Sequence, residues 1–141
     1  FFLIVIFLPN ITNKSSNNDP TYINNTGNYN FANITVNASN LFDASSNYIG
    51  VGNMTVGNNT GSNAECNSAP SAGANATILS HGSNIQVKHS VLNKGNHSAN
   101  DNSTGQETIF YCFQTVPSSV PSGSYSTTNT GAFAWKIIGT T

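Results

Sequence analysis

The sequence predicts an all-β protein, a β-sandwich, and three observations lead there. Several short stretches alternate apolar and polar residues with a period of two. Clusters of Gly, Pro, Asn and Ser separate those stretches and supply turns. No segment carries the three-to-four-residue apolar spacing of an amphipathic helix. Two packed sheets are the simplest way to bury strands of this kind.

The chain opens on its most apolar run, Phe1, Phe2, Leu3, Ile4, Val5, Ile6, Phe7 and Leu8, which Pro9 ends. Eight residues fall far short of the ~20 needed for a membrane-spanning helix. As a strand they extend to roughly 26 Å, enough to cross a sheet. Ile4, Val5 and Ile6 are β-branched, and the phenylalanines favour strands as well. Neither parity is polar, so both faces of such a strand need cover. Three homes fit: a core position in its own domain, a groove on a neighbouring copy, or the apolar region of a targeting segment. The last normally follows a basic stretch and precedes a small-residue cleavage site, and neither is visible. A short pilin-like helix is a further form the run can take.

Residues 10–28 are rich in Asn, with Asp19-Pro20 and Thr26-Gly27 as turn signals, and read as a polar linker. The expected organisation is therefore an N-terminal strand at 1–9, the linker at 10–28 and a β-sandwich over 29–141. Within the last, Tyr29 and Phe31 alternate and Ile34 and Val36 take the opposite parity, which predicts a strand with a bulge near Asn33. Residues 48–56 show the same change of phase, Ile49 and Val51 first and Met54 and Val56 after it, with Gly50 and Gly52 to bend.

A loop over 57–75 leads to a short strand at 76–80. Over 84–92, Ile85, Val87 and Val91 alternate with Gln86, Lys88 and Ser90, the pattern of a sheet with one wet face. After a polar loop at 93–106, residues 108–116 are apolar on both parities, which places them at a sheet centre. Residues 117–131 are turn-rich, and Phe133, Trp135 and Ile137 share one side of a closing strand.

Composition excludes several functions. Leu, Ile, Val and Phe number 32 of 141 residues, about 23%, just above the ~20% below which chains with high net charge stay disordered. Charged residues are 6%, the net charge is −1 and there is no arginine, so the electrostatic footprint of a nucleic-acid binder is missing. So is a polybasic membrane patch. Five carboxylates (Asp19, Asp43, Glu65, Asp101, Glu107) give acid little to act on, and stability nearly flat from about pH 2 to 8 is expected.

Catalytic and metal signatures are equally thin. His81, His89 and His97 recur at a spacing with no ligand geometry behind it. No G-x-S-x-G elbow or Gly-rich phosphate loop occurs, and the acids are scattered. The chain reads as a non-enzyme without catalytic residues, metal or cofactor. Lys88 or Lys136 could form an isopeptide bond with an Asn, but no spacing favours it. Tyr48, Tyr125 and Trp135 could stack on a sugar, although a strand Trp more often packs in a core.

Cys66 and Cys112 are the only cysteines, too few for a zinc site and not in C-x-x-C spacing. A secreted protein would bridge them, closing a ~47-residue loop worth up to ~4 kcal/mol in the chain-entropy model; a reducing compartment would leave two thiols. N-x-[ST] triplets begin at Asn10, Asn13, Asn24, Asn33, Asn37, Asn53, Asn58, Asn75, Asn96 and Asn102. So Asn-rich a chain generates some triplets by composition alone, but most of these fall where loops or strand ends are expected, within reach of a glycosyl transferase. Covalent N-linked glycans are the one addition expected.

An apolar first strand, a polar linker, an Asn/Ser/Thr-rich sandwich, many sequons and few charges together resemble the subunits of archaeal cell-surface filaments, the threads and bundling pili. Those subunits polymerise by donor-strand complementation, as in bacterial chaperone–usher pili. The resemblance implies an Ig-like or pilin-like sandwich completed by the N-terminal strand of a neighbouring subunit. It also implies an extracellular homopolymer for adhesion or cell–cell contact, with no membrane span and no nucleic-acid partner. Fully burying the eight side chains of 1–8 contributes on the order of 12–24 kcal/mol gross, against ~1–2 kcal/mol of backbone entropy per ordered residue. A head-to-tail contact of that kind does not close, and so builds a fibre. The alternative is a monomeric secreted carbohydrate-binding or adhesin module that keeps the first strand for itself.

Overall fold

The computed structural model describes residues 5–6, 12–15, 21–58, 76–94, 105–129 and 131–141, with side chains described from residue 21 onward. The protein is predominantly β, built from several antiparallel sheets. Among the described residues the only helical element is a single 3-10 turn, Val51–Asn53, and no helix is long and apolar enough to cross a membrane.

The strands in chain order are β1 (Val5–Ile6), β2 (Thr12–Ser15), β3 (Thr21–Asn24), β4 (Asn33–Asn37), β5 (Leu41–Phe42) and β6 (Tyr48–Ile49). After the 3-10 turn come β7 (Met54–Gly57), β8 (Ala76–Ile78), β9 (Asn84–Gln86), β10 (Gln106–Thr115), β11 (Ser124–Tyr125) and β12 (Lys136–Thr140).

β10 is the axis of the larger sheet. It pairs with β2 on one side and β7 on the other, β3 pairs with its first half, and β8 extends the sheet beyond β7. Its residues are buried or half-buried on both parities, as the doubly apolar pattern at 108–116 requires. The smaller sheet runs β12-β4-β9. Ile34 and Val36 of β4 point inward to meet Met54 and Val56 of β7 and Ile109 and Tyr111 of β10. Val51, Leu79, Val87 and Leu92 complete that principal cluster. Apolar faces of both sheets thus share one core.

Four local expectations are corrected. The span 10–28, read as a linker, holds two strands, β2 and β3, both hydrogen-bonded to β10. Main-chain pairing with a long buried strand holds them there, and such pairing leaves little apolar periodicity to read. The bulge near Asn33 is instead a break. Phe31 makes an isolated bridge to Leu92, Tyr29 is 74% exposed, and β4 starts afresh at Asn33.

The phase change at 48–56 is likewise no bulge but the 3-10 turn, which carries the chain from β6 into β7 with Ile49, Val51, Met54 and Val56 all buried. The alternation expected through 84–92 stops after Val87, because His89 adopts φ 59° in a tight turn. Val91 consequently faces solvent at 50% exposure while Leu92 is buried. Ser90 bridges that turn, its hydroxyl donating to the Val87 carbonyl at 2.7 Å and accepting from the Ile34 N–H at 2.9 Å.

Candidate strand-exchange groove

Of the opening apolar run, only the backbone of Val5–Ile6 lies among the described residues; Phe1, Phe2, Leu3, Ile4, Phe7 and Leu8 lie outside them. That backbone pairs antiparallel with β11 of the same chain, Val5 opposite Tyr125 and Ile6 opposite Ser124. The two strands form a sheet of their own, separate from both larger sheets.

The floor beside β11 is a second apolar cluster of Leu41, Ile49, Val116 and Tyr125, flanked by Phe113, Val120 and Trp135. Each member is placed by a local device. β5 and β6 form a hairpin whose turn is tied by Asp43: its carboxylate accepts the Ser45 and Asn47 N–H groups at 2.8 and 2.7 Å and the Asn47 side-chain amide at 2.8 Å. An Asp at the first turn position commonly caps a turn in this way. That hairpin fixes Leu41 and Ile49 on the floor. Phe42 pairs through its backbone with Ser126, the residue after β11, which ties the hairpin to that strand.

Gly131, at φ 92°, lies under the Phe42 ring, where a Cβ would come within 3.3 Å of the ring carbons. Glycine therefore serves both the left-handed backbone and the close approach. Tyr125 has no exposed surface, and its hydroxyl donates to the Pro121 carbonyl at 2.8 Å. Burial, with a lesser contribution from the Asp43 carboxylate, raises its pKa.

Trp135, half-buried, packs against both apolar clusters. Its ring meets Tyr111 edge-on at 5.5 Å, and its indole N–H donates to the Ser39 carbonyl at 2.9 Å. Of the three aromatics that could face a sugar, Tyr125 and Trp135 are thus packing residues. Tyr48 remains 55% exposed, leaning on Phe42 at 5.7 Å.

Cys112 lies on buried β10 and is disulfide-bonded; Cys66, the chain's other cysteine, lies outside the described residues. Among the described residues no three His, Cys, Asp or Glu side chains come together. The Nδ1 of His81 accepts the Asn40 N–H at 3.0 Å and its ring packs on Phe133; His97 lies outside the described residues.

The sequons scatter. Asn24 ends β3, Asn33 and Asn37 begin and end β4, Asn53 closes the 3-10 turn and Asn58 follows β7. Asn13 falls within β2, described for its backbone alone, and Asn10, Asn75, Asn96 and Asn102 lie outside the described residues.

Titration follows from this packing. Burial pushes the Tyr111 hydroxyl up to about 12, partly offset by a hydrogen bond to Thr21. The unfolded chain releases this proton near pH 10, so stability is complete below pH 10 and falls as pH rises through 12. Two pKa steps correspond to roughly 3 kcal/mol. On the acid side the Asn47 side chain holds the Asp43 carboxyl below its ordinary value. Its contribution is present above the usual carboxylate range and lost as pH falls, but the group is solvated and the loss small. A melting-temperature profile should therefore be nearly level over pH 2–8 and drop between pH 10 and 12. Tyr111→Phe should blunt the alkaline drop, and a steep fall below pH 4 would contradict the acid half.

Together these features define an all-β protein in which the Val5–Ile6 backbone pairs with β11 of its own chain, apart from the two larger sheets. Comparisons with protein-family models, curated proteins and solved structures found no match.

Proposed function

We propose that this chain is a structural, non-enzymatic subunit of an extracellular, glycosylated filament. In this reading residues 1–8 leave their own β11 and add to β11 of the next copy, completing a pilin-like sandwich. The observation that supports it most is the isolation of the β1·β11 ladder. β1 pairs with no other strand among the described residues, so it can be exchanged without breaking either large sheet.

β2 is anchored on β10, so an exchanged strand would stay tethered to its own sheet at Thr12 rather than at the far end of 10–28. At ~3.6 Å per residue the six steps from Ile6 to Thr12 reach roughly 20 Å. Short hinges are the kind that favour exchange between copies. Sequons and a disulfide both suit a secreted surface.

A second reading has its own support. Pairing of β1 with its own chain, and the exposed Tyr48 ring, suit a monomeric carbohydrate-binding or adhesin module.

The register supplies the test. Ile6 and Ser124 are Cα partners, so Ile6→Cys with Ser124→Cys places two thiols across the ladder. After oxidation, non-reducing electrophoresis should show a ladder of covalent multimers, and negative-stain images should show filaments. Crosslinked single chains alone would defeat the polymer and leave the secreted module.

A further inference from the structure

The ten sequons are chemically unequal once folded, and this inference rests on the reading of the chain as a secreted glycoprotein. N-glycosylation uses one atom of the asparagine side chain. The C1–O bond of a lipid-linked glycosyl phosphate breaks and the phosphate leaves with the electron pair. A C1–Nδ2 bond forms, and one Nδ2 proton passes to a base of the transferase. The modified amide keeps its Oδ1 acceptor and retains one N–H of two. A sequon asparagine that serves the fold through Oδ1 can therefore carry a sugar at no loss. One that donates both Nδ2 hydrogens cannot.

The described residues supply both kinds. Asn24, exposed at the end of β3, accepts from the Gln106 side-chain amide through Oδ1 at 2.7 Å. Asn33, at the start of β4, accepts from the Gln86 amide through Oδ1. Asn37, at the other end of the same strand, donates from Nδ2 twice, to the Gly82 carbonyl at 3.2 Å and to Asn84 Oδ1 at 2.7 Å.

The register sharpens the contrast. Asn37 is flanked directly by Lys136 of β12 and Asn84 of β9, whereas Asn33 lies opposite Thr140 and beyond the last β9 pairing, at Gln86. A sugar on Asn37 would have to stand between two occupied neighbours and displace a hydrogen bond that ties β4 to the turn before β9. One on Asn33 leaves from the end of the sheet.

We propose that Asn24 and Asn33 are glycan-bearing positions and that Asn37 is a structural amide whose sequon stays unmodified. The test is site mapping on the full chain, secreted from a host with an N-glycosylation pathway. Enzymatic glycan release in heavy-oxygen water converts each modified asparagine to a mass-labelled aspartate, read by peptide mass spectrometry. Label at Asn24 and Asn33 with none at Asn37 is the expected result. Label at Asn37, or its absence from Asn24 and Asn33 while other sequons carry it, overturns the assignment. Absence of label at every sequon removes the glycoprotein reading itself, and with it the assignment. An independent readout is the thermal stability of unglycosylated chain. Asn37→Ala should lower the melting temperature by several degrees, as expected for two lost hydrogen bonds; an unchanged value would also overturn the structural role.

Discussion

A chain lacking residues 1–8 is expected to remain monomeric, to expose an apolar ledge, and to recover its cover when a peptide of residues 1–15 is added. The ledge is β11 with the Leu41, Ile49, Val116 and Tyr125 cluster beside it. Tyr125 is wholly buried opposite Val5, so loss of the strand should uncover it and increase binding of a hydrophobic dye. Main-chain pairing on β11 supplies part of the peptide's affinity, as in other strand additions. Circular dichroism should show the large sheets intact, since β1 belongs to neither. Sedimentation of the truncated protein, with and without peptide, checks all of this. Polymer formation without residues 1–8 would end the exchange model. Outright unfolding of the truncated chain would favour the monomeric module, in which the strand is part of its own core.

Trp135→Ala should be strongly destabilising, by about 3 kcal/mol. The ring packs against both apolar clusters, contacts Tyr111 edge-on, and ties Ser39 through its indole N–H. Truncation leaves a cavity at the junction of the principal core and the groove floor, together with an orphaned carbonyl. The melting temperature should fall by about 10 °C. Trp135→Phe, which keeps much of the ring but not the donor, should cost about half as much. Calorimetry is the suitable measurement, because the substitution removes the chain's single tryptophan and its fluorescence. A change below 1 kcal/mol would mean that the two clusters are independent.

How legible these features were depended on what each residue leans upon. β10 was readable because a strand buried on both faces must be apolar on both parities, and Ile109, Phe110, Tyr111 and Cys112 are. β7 and β8 were readable from short apolar runs bounded by glycine, asparagine and serine. β2 and β3 were not. They lie on the edge of β10, held by main-chain bonds that any residue but proline can make, and their Asn and Thr content resembles a loop. β11 was hidden for the same reason, Ser124 and Tyr125 being embedded among turn residues. Its partner was visible as a greasy strand in search of cover, but the cover was not.

What the sequence determined by itself is the class. Two-residue periodicity, frequent turn formers and the lack of helical spacing leave an all-β chain, because period and punctuation are properties of neighbouring residues. Only the tertiary structure decided which strands meet, that 10–28 contributes two strands to the larger sheet, that Trp135 packs against two cores, and that Val5 lies opposite Tyr125. Those outcomes rest on main-chain hydrogen bonds and packing between residues distant along the chain, and a backbone donor or acceptor carries no mark of its partner in the one-letter code.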